Sequence, residues 1–349
     1  MISSGFKRTL LIDSLNGRTF IINNDQLRIL EELTKGTELS GLKEFCLYYG
    51  ISYLDIFLEF LNTYQLILSF EDEEACFIYT DLPKPCQFNK LNFNLVEYLV
   101  LEFEKFNAGL IKDILELKPK FILLRSFSRS FDSNILNTIE FIRTLPFHSV
   151  EFHANYSIEL YSIISSDDFK FKFPNFFIIK LFSSIINTEI LNGHIKIHCF
   201  REEMALVNCG VIGPKHFNLN SSHITESQHH NTCLNRKIAI DAEGNIKNCP
   251  SMAKSYGNIR DTKLIDVVKN PEFQKVWHIK KDEITKCKDC EFRHICTDCR
   301  AYLENPEDMY SAPLKCGYDP YTCTWEEWST NPLKEKAIEY YGMEELVKK

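Results

Sequence analysis

The segment Cys287-Lys-Asp-Cys-Glu-Phe-Arg-His-Ile-Cys-Thr-Asp-Cys-Arg300 carries the spacing C-x2-C-x5-C-x2-C, and Cys316 and Cys323 follow it. Cys233 and Cys249 stand upstream. Thiols this dense are disulfides or metal ligands, because exposed thiols left free are an oxidation hazard. Which of the two they are depends on the redox compartment, and composition bears on that. The start, Met1-Ile-Ser-Ser-Gly-Phe-Lys-Arg8, has no apolar run long enough for a signal peptide, and no uncharged apolar stretch of about 18 residues is present to span a membrane. The chain is therefore expected to be cytoplasmic, where thiols stay reduced. There the 13 cysteines point to metal rather than to disulfides.

With 349 residues there is room for two or three domains. Lys and Arg total 40 against 48 Asp and Glu, a net charge of −8. That balance offers no general attraction to nucleic acid or to an anionic membrane, so neither is expected as a partner.

In residues 1–80, Thr9–Asp13 and Arg18–Asn23 read as strands joined at Asn16-Gly17, the strongest local hairpin signal. Asn24 or Asp25 caps a helix to about Thr34, with Leu27, Leu30 and Leu33 on one face and Gly36 as the stop. Helices over Leu39–Tyr49 and Ser52–Tyr64 follow. A strand Leu66–Ser69 could pair with Ala75–Tyr79 across the acidic turn Glu71–Glu74. Hairpin, three helices and wing read as a winged helix-turn-helix. The segment is rich in Asp and Glu and has no basic recognition helix, which disfavours DNA. The order of elements, with the Asn24–Gly36 phrase, resembles the peptide-recognition element of ribosomal-peptide biosynthesis. That resemblance implies leader-peptide binding by strand addition along Arg18, Thr19, Phe20, Ile21 and Ile22.

Asp81-Leu-Pro-Lys-Pro-Cys86 reads as a linker opening a second region, 81–230. Asn94–Phe106 and Leu110–Leu117 read as helices. Phe121–Arg125, Ser149–His153, Phe176–Phe182 and Ile195–Phe200 read as strands, with helices over Asn134–Arg143 and Tyr156–Ile164. Alternating strands and helices predict an α/β fold with a parallel sheet, open or as a degenerate partial (β/α) barrel. His194 and His198 are read as lying along a single strand rather than as a metal pair. No C-x3-C-x2-C follows the first strand, so ordinary radical chemistry with S-adenosylmethionine finds no support. Cys46, Cys76 and Cys86 are isolated and read as small hydrophobes.

Residues 231–325 open with a hairpin, Lys237–Ile240 and Asn245–Asn248 about the turn Asp241–Gly244, which brings Cys233 and Cys249 to one end. Helices follow over Lys263–Lys269 and Pro271–Trp277. The succession C-x10-G-x4-C, C-x2-C-x5-C-x2-C and a last Cys is similar to the SPASM domain, the auxiliary-cluster domain of peptide-modifying radical enzymes. The whole chain resembles the SPASM peptide maturases of grasp-with-spasm systems, which act with an ATP-grasp ligase on a small precursor peptide. The resemblance implies two 4Fe-4S clusters. One takes Cys287, Cys290, Cys296 and Cys316. The other takes Cys233, Cys249 and Cys299, with Cys323, Cys209 or the His229-His230 pair as candidates for its fourth ligand. The x2 between Cys296 and Cys299 departs from the usual x3. His294, between ligands, is expected to be solvated or to support them from outside. Two zinc ions are the alternative, since zinc also takes four cysteines at this spacing. Residues 326–349 form a terminal helix, Pro332–Tyr341, with no chemical signal.

The expected function is maturation of a ribosomally made peptide, with the precursor peptide and an ATP-grasp ligase as partners. A non-catalytic, zinc-stabilised adaptor and a winged-helix regulator are the alternatives.

Overall fold

Leu10, Leu11 and Ile12 are consecutive and all buried, so the strand that contains them must be covered on both faces. The computed structural model describes residues 1–69, 76–78, 95–102, 108–128 and 133–347. In it that strand is β2 (Arg8–Asp13), central in an antiparallel sheet between β1 (Ile2–Ser4) and β3 (Arg18–Asn23). Gly17, at φ +63°, makes the β2–β3 turn. The cap of α1 (Asn24–Thr34) is Asn23, one residue earlier than expected. Its side chain accepts from the Gln26 N–H, and the Gln26 side chain accepts from the Asn23 N–H. Helices α2 (Leu39–Tyr49) and α3 (Leu54–Thr63) follow, and β4 (Ile67–Ser69) pairs with β5 (Cys76–Ile78). The turn Glu71–Glu74 and the linker Asp81–Cys86 lie outside the described residues.

The second region centres on an eight-stranded mixed sheet. Its members here are β6 (Tyr98–Glu102), β7 (Phe121–Arg125), β8 (Ser149–Asn155), β9 (Phe176–Phe182), β10 (Thr188–Asn192) and β11 (Ile195–Cys199). Helices α4 (Ala108–Leu117), α5 (Ser133–Arg143), α6 (Ile158–Ile164) and α7 (Asp167–Lys172) alternate with them. The helix expected over Asn94–Phe106 is not formed where it is described: Tyr98-Leu-Val-Leu-Glu102 is β6. Its run Leu99–Glu102 is buried without alternation, as a central parallel strand covered on both faces requires.

After α8 (Ser221–Ser227), the cysteine-rich region begins with β12 (Lys237–Ile240) and β13 (Ile246–Lys247). These strands extend the same sheet, since β12 runs parallel to β6. The strand order is β10-β11-β9-β8-β7-β6-β12-β13. Beyond α9 (Leu264–Lys269) and α10 (Pro271–Gln274), regular structure is sparse. It consists of single helical turns, the two-residue strands β14 (Tyr318–Asp319) and β15 (Thr324–Trp325), and the terminal helices α11 (Glu335–Tyr340) and α12 (Glu344–Val347).

The double-sided burial of β2 now has its explanation. Leu11 and Ile22 pack with Ile29, Leu30 and Phe57 on the helical side. Leu10 and Ile12 point the other way, onto Phe292, Ile295 and Tyr318 between and beside the cysteines. Polar contacts lock the same interface. Arg8 pairs with Glu291, which is 1% exposed and also accepts from the Tyr318 hydroxyl at 2.6 Å. The Phe6 N–H donates to the Asp289 carbonyl at 2.8 Å. A Cβ on Gly5 would stand 2.8 Å from the Glu291 nitrogen, so only glycine allows this approach.

Arg8→Ala leaves Glu291 buried with Tyr318 as its remaining donor. The expected cost is about 2–4 kcal/mol, discounted for the partial exposure of Arg8. Denaturant unfolding should report it, with Arg8→Lys losing less.

Candidate metal centre

A thiol ligates metal only as the thiolate, and burial without compensating positive charge opposes that ionisation. Both statements apply to two groups of cysteines. Cys287, Cys290, Cys296 and Cys316 line one cavity together with Lys281, Arg293, Tyr318 and Pro320. The loop that presents the first three is wound in single turns, with the Cys290 N–H donating to the Cys287 carbonyl at 3.0 Å and the Cys296 N–H to Phe292 at 3.0 Å. Burial pushes the Cys287 thiol up to about 12, with Asp298, Cys316 and Cys296 adding to the rise and Lys281 opposing it. The Cys290 and Cys296 thiols are raised for the same first reason.

The second group contains Cys209, which lies outside the matched spacing pattern, 24 residues before Cys233. Burial raises the Cys249 thiol to about 11, and Cys233 and Cys209 are near enough to add to it while Lys237 opposes. Cys299 is pushed up to about 12 by burial and then by Cys233. Tyr302, at about 12, is raised by burial and by three of these thiols, Cys249, Cys299 and Cys209. The backbone that carries Cys209 is held by Lys315, whose ammonium donates to the Cys209 carbonyl at 2.9 Å and to the Val207 carbonyl. Gly210, at φ +83°, lies so close that a Cβ would stand 2.8 Å from Cys299 Sγ.

The other candidates for a fourth ligand sit elsewhere. Cys323 lies beside the first cavity, its thiol 3.7 Å from the Pro320 carbonyl. His229 faces His230, which faces His278 at 5.3 Å between rings. His294 is buried rather than solvated, its Nδ1 3.3 Å from Ser227 Oγ, and burial lowers it to about 4. His194 packs on Phe177 while His198 meets Glu189 at 3.1 Å, so the two do not converge.

Between the two groups the chain is only Thr297-Asp298. Asp298 is buried and bonded to Arg300 at 2.8 Å and to Asn231 at 2.6 Å. As the side chains lie, no group of three or more His, Cys, Asp or Glu among the described residues is drawn closely enough together to hold a single metal ion. A tetrahedral zinc with Zn–S bonds of about 2.3 Å would need its sulfurs about 3.8 Å apart. The four thiols that line the cavity are an all-sulfur donor set.

One polar feature escaped the reading of the sequence. Strand register aligns Glu102, Arg125, His153, Lys180 and His198 across β6, β7, β8, β9 and β11. Arg125 pairs with Glu102, and Glu151 accepts from Lys180 at 2.7 Å and meets His153 at 2.7 Å. Burial works against the Glu151 carboxylate, yet His153 and Lys180 hold it at about 2. Each member of the row thus has a charged partner, in the row or beside it.

Residues 232–291 match the SPASM family, an iron-sulfur cluster-binding domain. The match takes in Cys233, Cys249, Cys287 and Cys290. Two AdoMet-dependent heme synthases are similar over short stretches. The protein of Oleidesulfovibrio alaskensis is 28% identical over 83 residues, 23% of this chain and 21% of its own. That of Nitratidesulfovibrio vulgaris is 28% identical over 87 residues, 24% of this chain and 23% of its own. The chain thus spans less than a quarter of the length of the curated relatives it matches. No helix among the described residues is long and apolar enough to cross a membrane.

Two outcomes follow from the buried thiols. Their pKa values lie above those of an unfolded chain, so in metal-free protein their contribution to stability is complete below the unfolded thiol pKa. It is lost as pH rises from about 8.5 toward about 12, whereas metal-loaded protein, already deprotonated at these sites, should not show that loss. Chemical denaturation of both forms across this range checks the sign. Gly210→Ala, strained at its φ by about 1–2 kcal/mol and pressing on Cys299, should remove about half of the bound metal. Elemental analysis reads this directly.

Proposed function

We propose that this chain is a component of peptide maturation that carries two iron–sulfur clusters. Cys287, Cys290, Cys296 and Cys316 would hold one, and Cys209, Cys233, Cys249 and Cys299 the other. The observation that carries the reading is the gathering of four thiols around one cavity, in a chain whose residues 232–291 match an iron-sulfur cluster-binding domain. The donor set fits such a group: all-sulfur ligation, burial, and an ammonium beside a sulfur of each set. When bound, each cluster supplies a compact, redox-active centre that also ties the loops together. The Asp298–Arg300 pair holds the chain between the two sets, and Tyr302, Tyr318 and Phe292 limit access of water.

The N-terminal module is read as a winged-helix peptide-recognition element, and the eight-stranded sheet as a degenerate partial barrel that presents the rest of the peptide. The partner is an ATP-grasp ligase. Strand β3 supports leader capture because, among the described residues, it ends its sheet on the outer side. The pairing parity says which groups are free there. The Ile12 N–H donates to Met1 and the Met1 amine to the Ile12 carbonyl, so Leu10 and Ile12 face β1 while Thr9, Leu11 and Asp13 face β3. Arg18, Phe20 and Ile22 therefore spend their backbone groups on β2. Thr19 and Ile21 direct theirs outward, and the Asn23 N–H is taken by Gln26. Ile21, 51% exposed, is the central free position.

The first test is iron, zinc and sulfide analysis of anaerobically purified protein. About eight irons with matching sulfide are expected, whereas about two zincs without sulfide would reduce the module to a scaffold. For the leader, Ile21→Pro removes an outward donor and should weaken binding of a fluorescein-labelled precursor leader at least tenfold by anisotropy, with metal content unchanged. Unchanged affinity would overturn the strand-addition reading. Phe20→Pro is the wrong probe, because it breaks the hairpin itself.

A further inference from the structure

Each thiol group has one lysine ammonium on one of its sulfurs. Lys237 Nζ lies 3.3 Å from Cys233 Sγ, at the start of β12, and Lys281 Nζ lies 3.4 Å from Cys296 Sγ. Lys281 is 4% exposed. An ammonium withdrawn from water is costly unless an anion faces it. Their surroundings differ. Lys281 is shared with a carboxylate, Asp298, at 3.8 Å, and Asp298 is itself divided with Arg300. Among the described residues Lys237 has no carboxylate at ion-pair distance, and its hydrogen-bond acceptor is the Cys233 sulfur.

On the iron–sulfur reading above, we propose that Lys237 and Lys281 are the charges that set the reduction potentials of the two bound clusters. One-electron reduction adds a unit of negative charge to a cluster held by four thiolates and breaks no bond. A fixed positive charge a few ångströms from a ligating sulfur favours that form and raises the potential. Lys237 has no carboxylate at ion-pair distance among the described residues, so the Cys209/Cys233/Cys249/Cys299 group holds the more readily reduced cluster. Lys281, faced by Asp298 at 3.8 Å, acts more weakly on the other. Both are positioning residues, touching the sulfur and not a substrate.

The test is an anaerobic redox titration with dithionite and mediators, followed by electron paramagnetic resonance, on the full chain and on Lys237→Met and Lys281→Met. Methionine keeps the length of the side chain and removes its charge. Each variant should keep its iron and sulfide. In each, one cluster should become harder to reduce, by at least tenfold in the reduction equilibrium for Lys237→Met, about 59 mV for a one-electron couple. The change should be smaller, on the other cluster, for Lys281→Met. Wild-type potentials in both variants at full iron content overturn the proposal. If a Met variant loses iron, the Arg variant decides. Iron retained at the wild-type potential supports the role of charge, and iron lost again makes the role one of shape and overturns it. Zinc without sulfide in the unmodified protein would instead remove the iron–sulfur reading on which the proposal stands.

Discussion

A buried ionic contact around Asp298 ties the two thiol groups to each other. Two residues, Thr297 and Asp298, separate a cysteine of one thiol group from a cysteine of the other, so three peptide steps keep the two groups within about 11 Å of each other at the Cα atoms. Asp298 fills that gap and is held by Arg300, Asn231 and Lys281. A buried carboxylate is tolerable only with such partners, and each partner leads elsewhere. Asn231 opens the turn before Cys233, and Lys281 reaches Cys296. Arg300 caps the carbonyls of Met309 and Ser311 on the approach to Cys316. The two thiol groups are interlaced, and neither can be displaced without disturbing the other.

A module with so few regular elements needs support from outside, and it has two kinds. From the sheet, β12 and β13 extend the strands that begin with β6, so Cys233 and Cys249 emerge from the rim of a large apolar core. From the N-terminus, β1 and β2 lie across the loop that carries Cys287, Cys290 and Cys296. Leu10 and Ile12 share a cluster with Phe292, Ile295, Cys290 and Cys316. Loss of metal would release the loop on which the N-terminal sheet rests, and loss of the sheet would expose the thiols.

Much of this was legible in the sequence where a signal is local. The β2–β3 hairpin followed from Asn-Gly, the β12–β13 hairpin from its glycine turn, and the alternating strands and helices from periodicity. What escaped depends on contacts distant in sequence. The sequence of β6 suggests a helix because a short apolar run without alternation is ambiguous between a buried strand and a buried helix turn. Cys209 could be named only as one candidate among several, since no spacing rule links it to Cys233. What assembles it there is Lys315, whose ammonium grips the backbone of residues 207–209 from the far side of the module. The row from Glu102 to His198 is invisible until strand register is known, because its members are about two dozen residues apart.

Parity is the most economical link between the two ends of the molecule. β2 gives Leu11 to the helical core and Leu10 and Ile12 to the cysteine-bearing loop, and its backbone bonds alternate in the same period between β3 and β1. A slip of one residue in the β2–β3 register would therefore reverse one strand against the other. Either β2 would turn the apolar set that covers Cys290 and Cys316 toward the helices, or β3 would exchange the outward donors Thr19 and Ile21 for Arg18, Phe20 and Ile22. The Asn16-Gly17 turn at one end and the Asn23–Gln26 capping box at the other fix that register. The edge of β3 and the covering of the first thiol group both depend on this single choice of pairing.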